Sequence, residues 1–412
     1  MKTNPEVIYL PITGIKKACR LFSTPFFLYS EKKIRENCRF FFNSFKQYFP
    51  DFRPLFAVKA NPNPAILRII QQEGFGFDCS SESELWIVKK IKGHGMHTGN
   101  YIVESELRRA LTTPNVVLNL DDESMLTKVG QLGMPKTLSF RINPGIVAVT
   151  MKSLQTAGPN AKFGVPIERV VASYQKAKQM GVETFGIHMM AGSNILDEKH
   201  FYGITSKLLE IVGILKKRTG IQIDFLNIGG GFGVPYQPSE RSLDLNLVAK
   251  SVRKAFDEQC HRFSLKEPQL FAEPGRYITA NAGWLVSQAV VIKNSHKKFI
   301  GIDASSNDLP RPSIYGAYHH ATVLNKTSKR ENVTIVGSIC ENNDQLATDR
   351  LLPKCEIGDI IVLHNAGGHA YAMGHNYNGK TRHAEYLLMN KSNLKCIRRA
   401  ETIADLFKRC NE

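Results

Sequence analysis

The sequence of 412 residues contains no apolar run close to the roughly 20 residues that a membrane-spanning helix requires. Its first ten residues, Met1–Leu10, lack the apolar core and the cleavage site of a secretory signal. The eight cysteines, at positions 19, 38, 79, 260, 340, 355, 396 and 410, form no Cys-x-x-Cys pair. We therefore expect neither a metal site nor a disulfide framework. Together these absences predict a cytoplasmic protein that does not enter the membrane.

Runs of like charge are also missing, although the chain is basic. It has 54 Lys and Arg against 37 Asp and Glu, a formal net charge of +17. Residues 1–60 hold 11 basic and 4 acidic side chains and residues 380–412 hold 8 and 4, so the middle is nearly balanced. No five consecutive residues are basic. Nucleic-acid binders concentrate their positive charge, so we expect no nucleic-acid partner and interpret the excess as a solvated surface.

From about residue 54, short apolar runs alternate with longer stretches in which apolar residues recur at three-and-four spacing. Ser81 and Glu84 have the spacing of a helix capping box. Eight such strand–helix units are typical of a (β/α)8 TIM-like barrel. The predicted strands are Leu55–Ala60, Gly76–Ser80, Gly99–Val103, Val116–Leu120, Leu138–Asn143, Phe185–Met190, Phe225–Gly229 and Leu270–Glu273. The predicted helices include Pro64–Glu73, Ser83–Lys92, Glu104–Leu111, Pro166–Met180 and Glu198–Lys217.

After Gly283 the pattern changes to apolar runs with no regular helices between them, which predicts a second, mostly antiparallel β domain. We expect the barrel to span residues 30–283, and the β domain to combine residues 1–29 with 284–412. Two runs near the start of the chain, Val7–Leu10 and Phe26–Tyr29, are predicted strands of this β domain. Its other predicted strands are Trp284–Ile292, Phe299–Ala304, Tyr315–Leu324, Val333–Gly337, Asp359–His364 and Glu385–Met389.

Chemically active residues follow the predicted barrel strands, at the end where such barrels carry their active sites. Each has an ordinary structural explanation when taken alone, such as a surface ion pair or a satisfied core histidine. Together they describe a pyridoxal phosphate site, with a lysine for a Schiff base, glycines for a phosphate and a carboxylate for the ring nitrogen. The residues are Lys59, Asp78, Arg141, Asn143, His188, Gly229, Gly230, Gly231, Glu273 and Arg276.

Eight motifs carry a resemblance to a known family: FAVKANPNP, FDCSSESEL, GIHMMAGSN, NIGGGFGVPY, AEPGRYITANAG, LPRPSIYGAYH, GSICENND and MGHNYNGKTRHAE. In order and spacing they resemble the pyridoxal phosphate decarboxylases of the alanine-racemase fold. Within that family they are most similar to the diaminopimelate decarboxylases. The resemblance extends over residues 25–390, essentially the whole chain.

The resemblance implies roles for the barrel residues. Lys59 is expected to form the Schiff base with the cofactor, and His188 to stack on the cofactor ring and take part in catalysis. Glu273 is expected to pair with the ring nitrogen. The remaining cofactor-binding residues are expected to be Ser193, Gly230, Gly231, Gly275, Arg276 and Tyr377.

The resemblance further implies decarboxylation of meso-2,6-diaminopimelate to L-lysine and CO2 by a homodimer with shared active sites. Cys340 of one chain is expected to donate a proton in the site of its partner. The expected substrate-binding residues are Arg276, Arg311, Tyr315, Glu341 and Tyr377. A glutamate and two arginines complement the ammonium and carboxylate at the far end of this substrate, whereas a bare terminal amine needs no arginine.

Departures from the family pattern leave alternatives open. The family often has Gly-Ala-Tyr where this chain has Gly367-Gly368-His369, so His369, Tyr377 or neither contacts the cofactor phosphate. An alternative substrate is another carboxylated or D-configured diamine-type amino acid, such as D-lysine, D-ornithine or a siderophore precursor. A regulatory homologue without cofactor is disfavoured because Lys59, Glu273 and Cys340 are all present.

Overall fold

The computed structural model describes residues 4–145, 157–190, 192–327, 329–390 and 393–411. The chain divides into two compact units. The barrel unit comprises Asn37–Gly233 and Leu243–Arg276, and the β unit comprises Met1–Glu36, Val234–Ser242 and Tyr277–Glu412. The domain limits expected from the sequence stay a prediction. Among the described residues, no helix has the length and apolar character needed to span a membrane.

The elements are numbered along the chain. The strands are β1 Phe26–Ser30, β2 Arg53–Ala57, β3 Gly76–Cys79, β4 Gly95–His97, β5 Val116–Leu120, β6 Thr137–Asn143, β7 Val165–Pro166, β8 Thr184–His188, β9 Phe225–Asn227, β10 Gln269–Ala272, β11 Gly283–Asn294, β12 Lys298–Ile302, β13 Ala321–Val323, β14 Arg330–Val336, β15 Gln345–Pro353, β16 Ile360–Leu363, β17 Ala384–Leu388 and β18 Leu394–Arg398. The helices are α1 Pro5–Ile8, α2 Ile12–Leu21, α3 Glu31–Lys46, α4 Pro64–Gln72, α5 Glu82–Lys90, α6 Glu104–Thr112, α7 Leu126–Leu132, α8 Val170–Gln179, α9 Glu198–Thr219, α10 Leu245–Phe263, α11 Arg276–Thr279, α12 Arg311–Tyr315 and α13 Ile403–Phe407.

Eight parallel strands close the barrel in the order β5-β4-β3-β2-β10-β9-β8-β6, with β5 and β6 pairing to complete the ring. The short strand β7 pairs with β6 beside the barrel ring. A buried cluster of Leu55, Met96, Phe225 and Phe271 joins four of the barrel strands. The predicted fold class, a TIM-like barrel with a separate β domain, is confirmed.

Local signals set the helix boundaries of the barrel unit. Helix α4 begins at Pro64 because the Asn63 side chain accepts the Ala65 N–H, and α5 begins with the predicted Ser81 cap. The predicted third strand, Gly99–Val103, is wrong: the strand is β4, and the backbone of Tyr101 is left-handed (φ 54°). A side chain other than glycine in that conformation interrupts an extended strand.

The sheet of the β unit runs in the order β15-β14-β12-β11-β1-β17-β18, and β16 joins β11 to β13. All its pairings are antiparallel except β1 with β17 and β12 with β14. Its core contains the buried Phe26, Leu28, Trp284 and Val286. The predicted antiparallel character is therefore confirmed.

Two predicted strands of the β unit are corrected by the structure. Val7–Leu10 is wrong, because Asn4 caps a short helix, α1, that begins at Pro5. Tyr315–Leu324 contains a strand only at its end, β13, since Tyr315 closes α12 and Gly316 is left-handed.

Candidate active site

Two charged side chains lie at the carboxyl ends of the first two barrel strands. Lys59 is in a single 3-10 turn after β2, and about half of its side chain is exposed. Asp78 on β3 is buried, and its Oδ2 lies 3.8 Å from Lys59 Nζ. Burial and the nearby Glu273 raise the pKa of Asp78 to about 6. An accessible amine is therefore held beside a buried carboxyl group.

A second buried carboxylate lies across the same mouth of the barrel. Glu273 directly follows β10; its Oε1 accepts a hydrogen bond from Asn227 Nδ2 (2.7 Å), and its Oε2 lies 3.4 Å from His188 Nε2. Burial alone would raise the pKa of Glu273, but His188, Lys59 and Asn227 outweigh it and lower the pKa to about 2. Glu273 is therefore an anion at neutral pH although it is almost fully buried.

Two asparagines that were not singled out in the sequence complete this group. Asn119 on β5 places its Nδ2 3.0 Å from His188 Nδ1, and Asn227 on β9 bonds Glu273. Because an amide nitrogen only donates, His188 Nδ1 accepts, and the ring proton lies on Nε2, facing Glu273. Both asparagines interrupt apolar strands close to their carboxyl ends, a signal that marks the positions but does not show what their side chains contact.

Glycines permit a close approach of two loops at the barrel mouth. The loops after β8 and β9 are joined by Ile195, which donates its N–H to Gly231 O (2.8 Å) and accepts the Gly233 N–H (3.0 Å). A Cβ on Gly231 would lie 2.9 Å from Gly192 O, and its φ of +88° is left-handed. A Cβ on Gly230 would lie 2.6 Å from Glu273 O. Only glycine therefore fits at either position.

Polar groups border this pair of loops. Arg276, at the start of α11, places its Nη2 3.5 Å from the Ser193 hydroxyl, and its guanidinium is buried. A Cβ added to Gly275 would lie 3.1 Å from the methyl groups of Ala57 and Ala60. A hydroxyl and a guanidinium beside a closely packed glycine-rich loop form a set suited to a phosphate dianion.

Arg141 and Asn143, which the sequence also placed at this mouth, have structural contacts. Asn143 bonds both the N–H and the carbonyl of Gly158 through its side-chain amide, at 2.9 and 3.0 Å. The Arg141 guanidinium lies over the Phe163 ring, 4.4 Å from its centroid. Asn143 therefore organises a loop, and these contacts do not indicate a role in catalysis or ligand binding for either residue.

The β unit brings three of the predicted substrate motifs together. Helix α12 contacts the Cys340 loop through the Ser313 hydroxyl, which bonds Asn343 O at 2.8 Å. The Cys340 N–H in turn bonds Asn378 Oδ1 at 2.7 Å, and Cys340 and Glu341 raise the pKa of Tyr377. Cys340, Glu341 and Tyr377 are exposed in the single chain.

Arg311 opens α12 and is buried, with its guanidinium 4.7 Å from the centre of the Tyr236 ring. Its Nη1 lies 3.0 Å from His319 Nε2, and His319 Nδ1 lies 2.8 Å from His364 O. A carbonyl only accepts, so the His319 proton lies on Nδ1, and Nε2 accepts from Arg311. A neutral histidine thus fixes the guanidinium without neutralising it.

The glycine pair that departs from the family pattern is closely packed inside the β unit. A Cβ on Gly367 would lie 1.9 Å from Thr279 O, and one on Gly368 2.8 Å from the Thr279 hydroxyl. His369 follows with a left-handed backbone (φ 56°). The stretch accommodates no larger residue before His369; the cofactor contact considered for His369 or Tyr377 stays a prediction.

The barrel unit thus combines an accessible amine, a buried anion beside a histidine, and a glycine cradle with phosphate donors. These are the groups that an aldehyde cofactor with an anionic tail requires, so the residues present fit pyridoxal phosphate. Among the described residues, no group of three or more His, Cys, Asp or Glu could hold a metal ion. The fold and site define a barrel enzyme built around this cofactor.

Comparison with known proteins specifies the family. Residues 32–280 match the family model described as "Pyridoxal-dependent decarboxylase, pyridoxal binding domain". The diaminopimelate decarboxylase of Methanothermobacter thermautotrophicus is 34% identical over 94% of this chain and 91% of its own length. Protein TabA of Pseudomonas amygdali pv. tabaci is 37% identical over 93% and 90%.

The solved structures agree with this assignment. The diaminopimelate decarboxylase from Helicobacter pylori complexed with L-lysine superposes with a TM-score of 0.88 and 28% identity, covering 95% of this chain and 98% of that one. The enzyme of Methanocaldococcus jannaschii gives 0.87 and 30%, covering 97% and 94%. The chain belongs to the pyridoxal-dependent decarboxylase family. It is a carboxy-lyase, its cofactor is pyridoxal phosphate, and its substrate is an amino acid.

Proposed function

We propose that the protein decarboxylates meso-2,6-diaminopimelate to L-lysine and CO2. The observation that carries the substrate is a grouping within the β unit. The helix that begins with the buried Arg311 contacts the loop that carries Glu341, and Tyr377 interacts with Glu341. A fixed guanidinium and a glutamate complement the carboxylate and ammonium at the far end of diaminopimelate. The diaminopimelate decarboxylases among the relatives, aligned over nearly the whole chain, support this choice.

The barrel residues supply the decarboxylation site. When bound, the cofactor provides an electron sink for the pair of electrons left on Cα as CO2 departs. Lys59 would carry the cofactor through its amine, and the ring of His188 would stack against it. Glu273, whose pKa is lowered to about 2, would hold a proton on the ring nitrogen because its carboxylate remains ionised. This proton makes the electron sink effective.

The cradle residues would hold the cofactor phosphate. Ser193 and Arg276 offer a hydroxyl and a guanidinium that already lie 3.5 Å apart. Gly230, Gly231 and Gly275 allow the backbone of these loops to pack closely where the phosphate is proposed to bind. Tyr377 is the further candidate for this contact. Arg276 and Tyr315 are proposed to contact the substrate as well.

We further propose a cytoplasmic homodimer in which Cys340 of one chain returns a proton to Cα in the site of its partner. Cys340, Glu341 and Tyr377 are exposed in the single chain, which is unusual for groups that bind substrate or transfer a proton to carbon. A partner subunit that covers them would exclude the water that competes with this transfer. All eight cysteines are free, which suits a reducing compartment.

A close analogue is the second candidate substrate, and one observation favours it. Protein TabA, whose name states no substrate, is 37% identical to this chain, against 34% for the diaminopimelate decarboxylase of Methanothermobacter thermautotrophicus. Substrates such as D-lysine, D-ornithine or a carboxylated siderophore precursor share the reacting carbon and differ at the far end.

Release of CO2 from meso-diaminopimelate, D-lysine, D-ornithine and L-ornithine distinguishes these candidates. We expect kcat/KM to be at least about 100-fold higher for diaminopimelate, because a substrate without the distal carboxylate cannot form the ion pair with Arg311. Comparable turnover of D-lysine would favour the second candidate.

Two variants separate substrate recognition from chemistry in the same assay. Arg311→Gln should lower kcat/KM for diaminopimelate about 10- to 100-fold, the value of one charged hydrogen bond, and leave residual D-lysine turnover unchanged. Lys59→Ala should abolish both activities, and borohydride should no longer fix the cofactor to the peptide that contains position 59.

A further inference from the structure

One side-chain amide in the β unit contacts Cys340 at two points. Asn378 accepts the Cys340 N–H through Oδ1 at 2.7 Å, and its Nδ2 donates to Cys340 Sγ at 2.9 Å. The backbone of Asn378 is left-handed, with φ 57° and ψ 21°. Asparagine and glycine are the residues that adopt this conformation most readily. The turn therefore aims the amide at Cys340.

The backbone around Cys340 is fixed independently by a buried carboxylate. Asp344 accepts the N–H groups of Ser306 (2.6 Å) and Ile339 (3.0 Å), and its own N–H bonds Glu341 O (3.1 Å). With both ends of the loop held in this way, the remaining freedom at Cys340 is the rotation of its thiol. The contact between Asn378 Nδ2 and Sγ restricts that rotation.

Two acidic side chains also belong to this cluster, Tyr377 and Glu341. Glu341 directly follows Cys340 in the chain, and Tyr377 directly precedes Asn378. The interaction with Cys340 is the main cause of the raised pKa of Tyr377, with Glu341 adding to it. A carboxylate near the sulfur opposes a negative charge there, whereas an N–H donor stabilises one. The Asn378 amide is thus a neutral donor in otherwise acidic surroundings.

We propose that Asn378 is a positioning residue that orients the Cys340 thiol and stabilises the sulfur after it has given up its proton. This rests on the proposed proton return by Cys340. The proton moves from Sγ to Cα, and the electron pair of the S–H bond remains on sulfur as a thiolate. That thiolate accepts the Asn378 N–H and regains a proton from solvent once the product has left the site.

Three variants separate the amide from the turn that carries it. Asn378→Gly removes the side chain and keeps a residue suited to the left-handed backbone. Asn378→Asp keeps an oxygen for the Cys340 N–H but replaces the donor with a negative charge. Asn376→Ala is the matched control, because Asn376 lies two positions away and bonds Lys380 O and Glu401 Oε2.

The readout is the rate of alkylation of Cys340 by iodoacetamide in the holoenzyme, measured peptide by peptide by mass spectrometry from about pH 6 to pH 10. The exposed Cys396 and Cys410 serve as references in the same digest. Near neutral pH we expect Cys340 to react about three- to tenfold more slowly in Asn378→Gly, and more slowly still in Asn378→Asp, because less thiolate is present. The midpoint of the pH profile should move to higher pH, with Asn376→Ala and both reference cysteines unchanged.

An unchanged midpoint in both Asn378 variants, or a shift to lower pH, overturns the proposal. If a variant only made the thiol more accessible, the alkylation rate would change at every pH and the midpoint of the pH profile would not move. The midpoint therefore distinguishes a change in accessibility from a change in thiolate stability. The measurement needs no substrate. If the midpoint moves but no CO2 is released from any candidate, the proposed function fails and the role of Asn378 toward the thiol stands.

Discussion

Buried carboxyl groups in the barrel unit show how surroundings decide the charge of a residue. Glu273 and Asp78 are both almost completely buried, yet the pKa of the first is lowered and that of the second is raised. Glu273 has a hydrogen bond from Asn227 and a close contact with His188, whereas at Asp78 burial and the nearby Glu273 outweigh the groups that favour its anion. Donors that face the carboxylate therefore offset the cost of burial at one position only.

Glu84 is a third acid with a shifted pKa, although it is only partly buried, and its titration should be visible in stability. Its Oε2 accepts the Ser80 N–H at 2.6 Å, but burial raises its pKa to about 7. Since this exceeds the value in an unfolded chain, the stabilising contribution is complete below about pH 4 and is lost as the pH rises through 7. At pH 8 the ionised group costs about 3 kcal/mol. Glu84→Gln should therefore increase the free energy of unfolding in urea at pH 8 by about 2–3 kcal/mol, and by less at pH 5.

Glu82→Gln is the matched control on the same turn of helix α5. Glu82 is 40% exposed and pairs with Arg109, so its replacement should change stability by less than about 1 kcal/mol. Equal slopes of unfolding free energy against pH in the wild type and Glu84→Gln would contradict the assignment.

At the scale of residues, the sequence predicted those site positions that lie in recognisable motifs. Lys59 and Glu273 follow apolar strands, and the structure places both at the barrel mouth. Asn119 and Asn227 could not be found in this way, because a lone asparagine in an apolar strand shows neither which face it occupies nor what lies across the barrel. That information depends on the register of strands distant in the chain, such as β5 and β8.

At the scale of elements, the loops after β8 and β9 depend on glycine to approach one another. A parallel bridge between Ile195 and Phe232 connects them, and Gly231 lies beside it with φ +88°. Gly203, in the middle of helix α9, has open space around it. The same substitution should therefore have opposite effects at the two positions.

Gly231→Ala should destabilise the protein by more than about 1 kcal/mol, because the added Cβ lies 2.9 Å from Gly192 O in a left-handed backbone. It should also weaken the binding of pyridoxal phosphate to the apoprotein. Gly203→Ala should raise stability by about 0.5–1 kcal/mol and leave cofactor binding unchanged. Urea unfolding and an absorbance titration with the cofactor measure both effects. Equal cofactor affinity in the two variants would show that the cradle does not hold the phosphate.

The elements themselves could be predicted where they are long or carry clear end signals. Helix α5 begins at Ser81 with the expected contact between the Ser81 hydroxyl and the Glu84 N–H (3.4 Å). The third strand was misplaced because β4 has only three residues, and the more apolar run after it resembles a strand better. Ile102 in that run is buried in a loop, which apolar character alone cannot distinguish from burial in a strand.

At the scale of the molecule, the proposed chemistry divides between the two units. The amine, the ring-nitrogen partner and the phosphate cradle belong to the barrel unit, whereas Cys340 and the distal substrate groups belong to the β unit. A homodimer with shared sites requires a whole site to take one set from each chain. Closed twofold dimers of this kind contain two such sites.

Mixing inactive variants tests this division. Lys59→Ala and Cys340→Ala should each have little activity alone. After subunits exchange at equal concentrations, half of the dimers are mixed, and each mixed dimer has one intact site, so about a quarter of wild-type activity should return. Mixing Lys59→Ala with His188→Ala should restore nothing, because both changes affect barrel residues and every site then contains one of them. The mixture of Lys59→Ala with Cys340→Ala could also stay inactive although mass spectrometry shows mixed dimers. In that case Cys340 acts within its own chain, and the shared-site proposal is wrong.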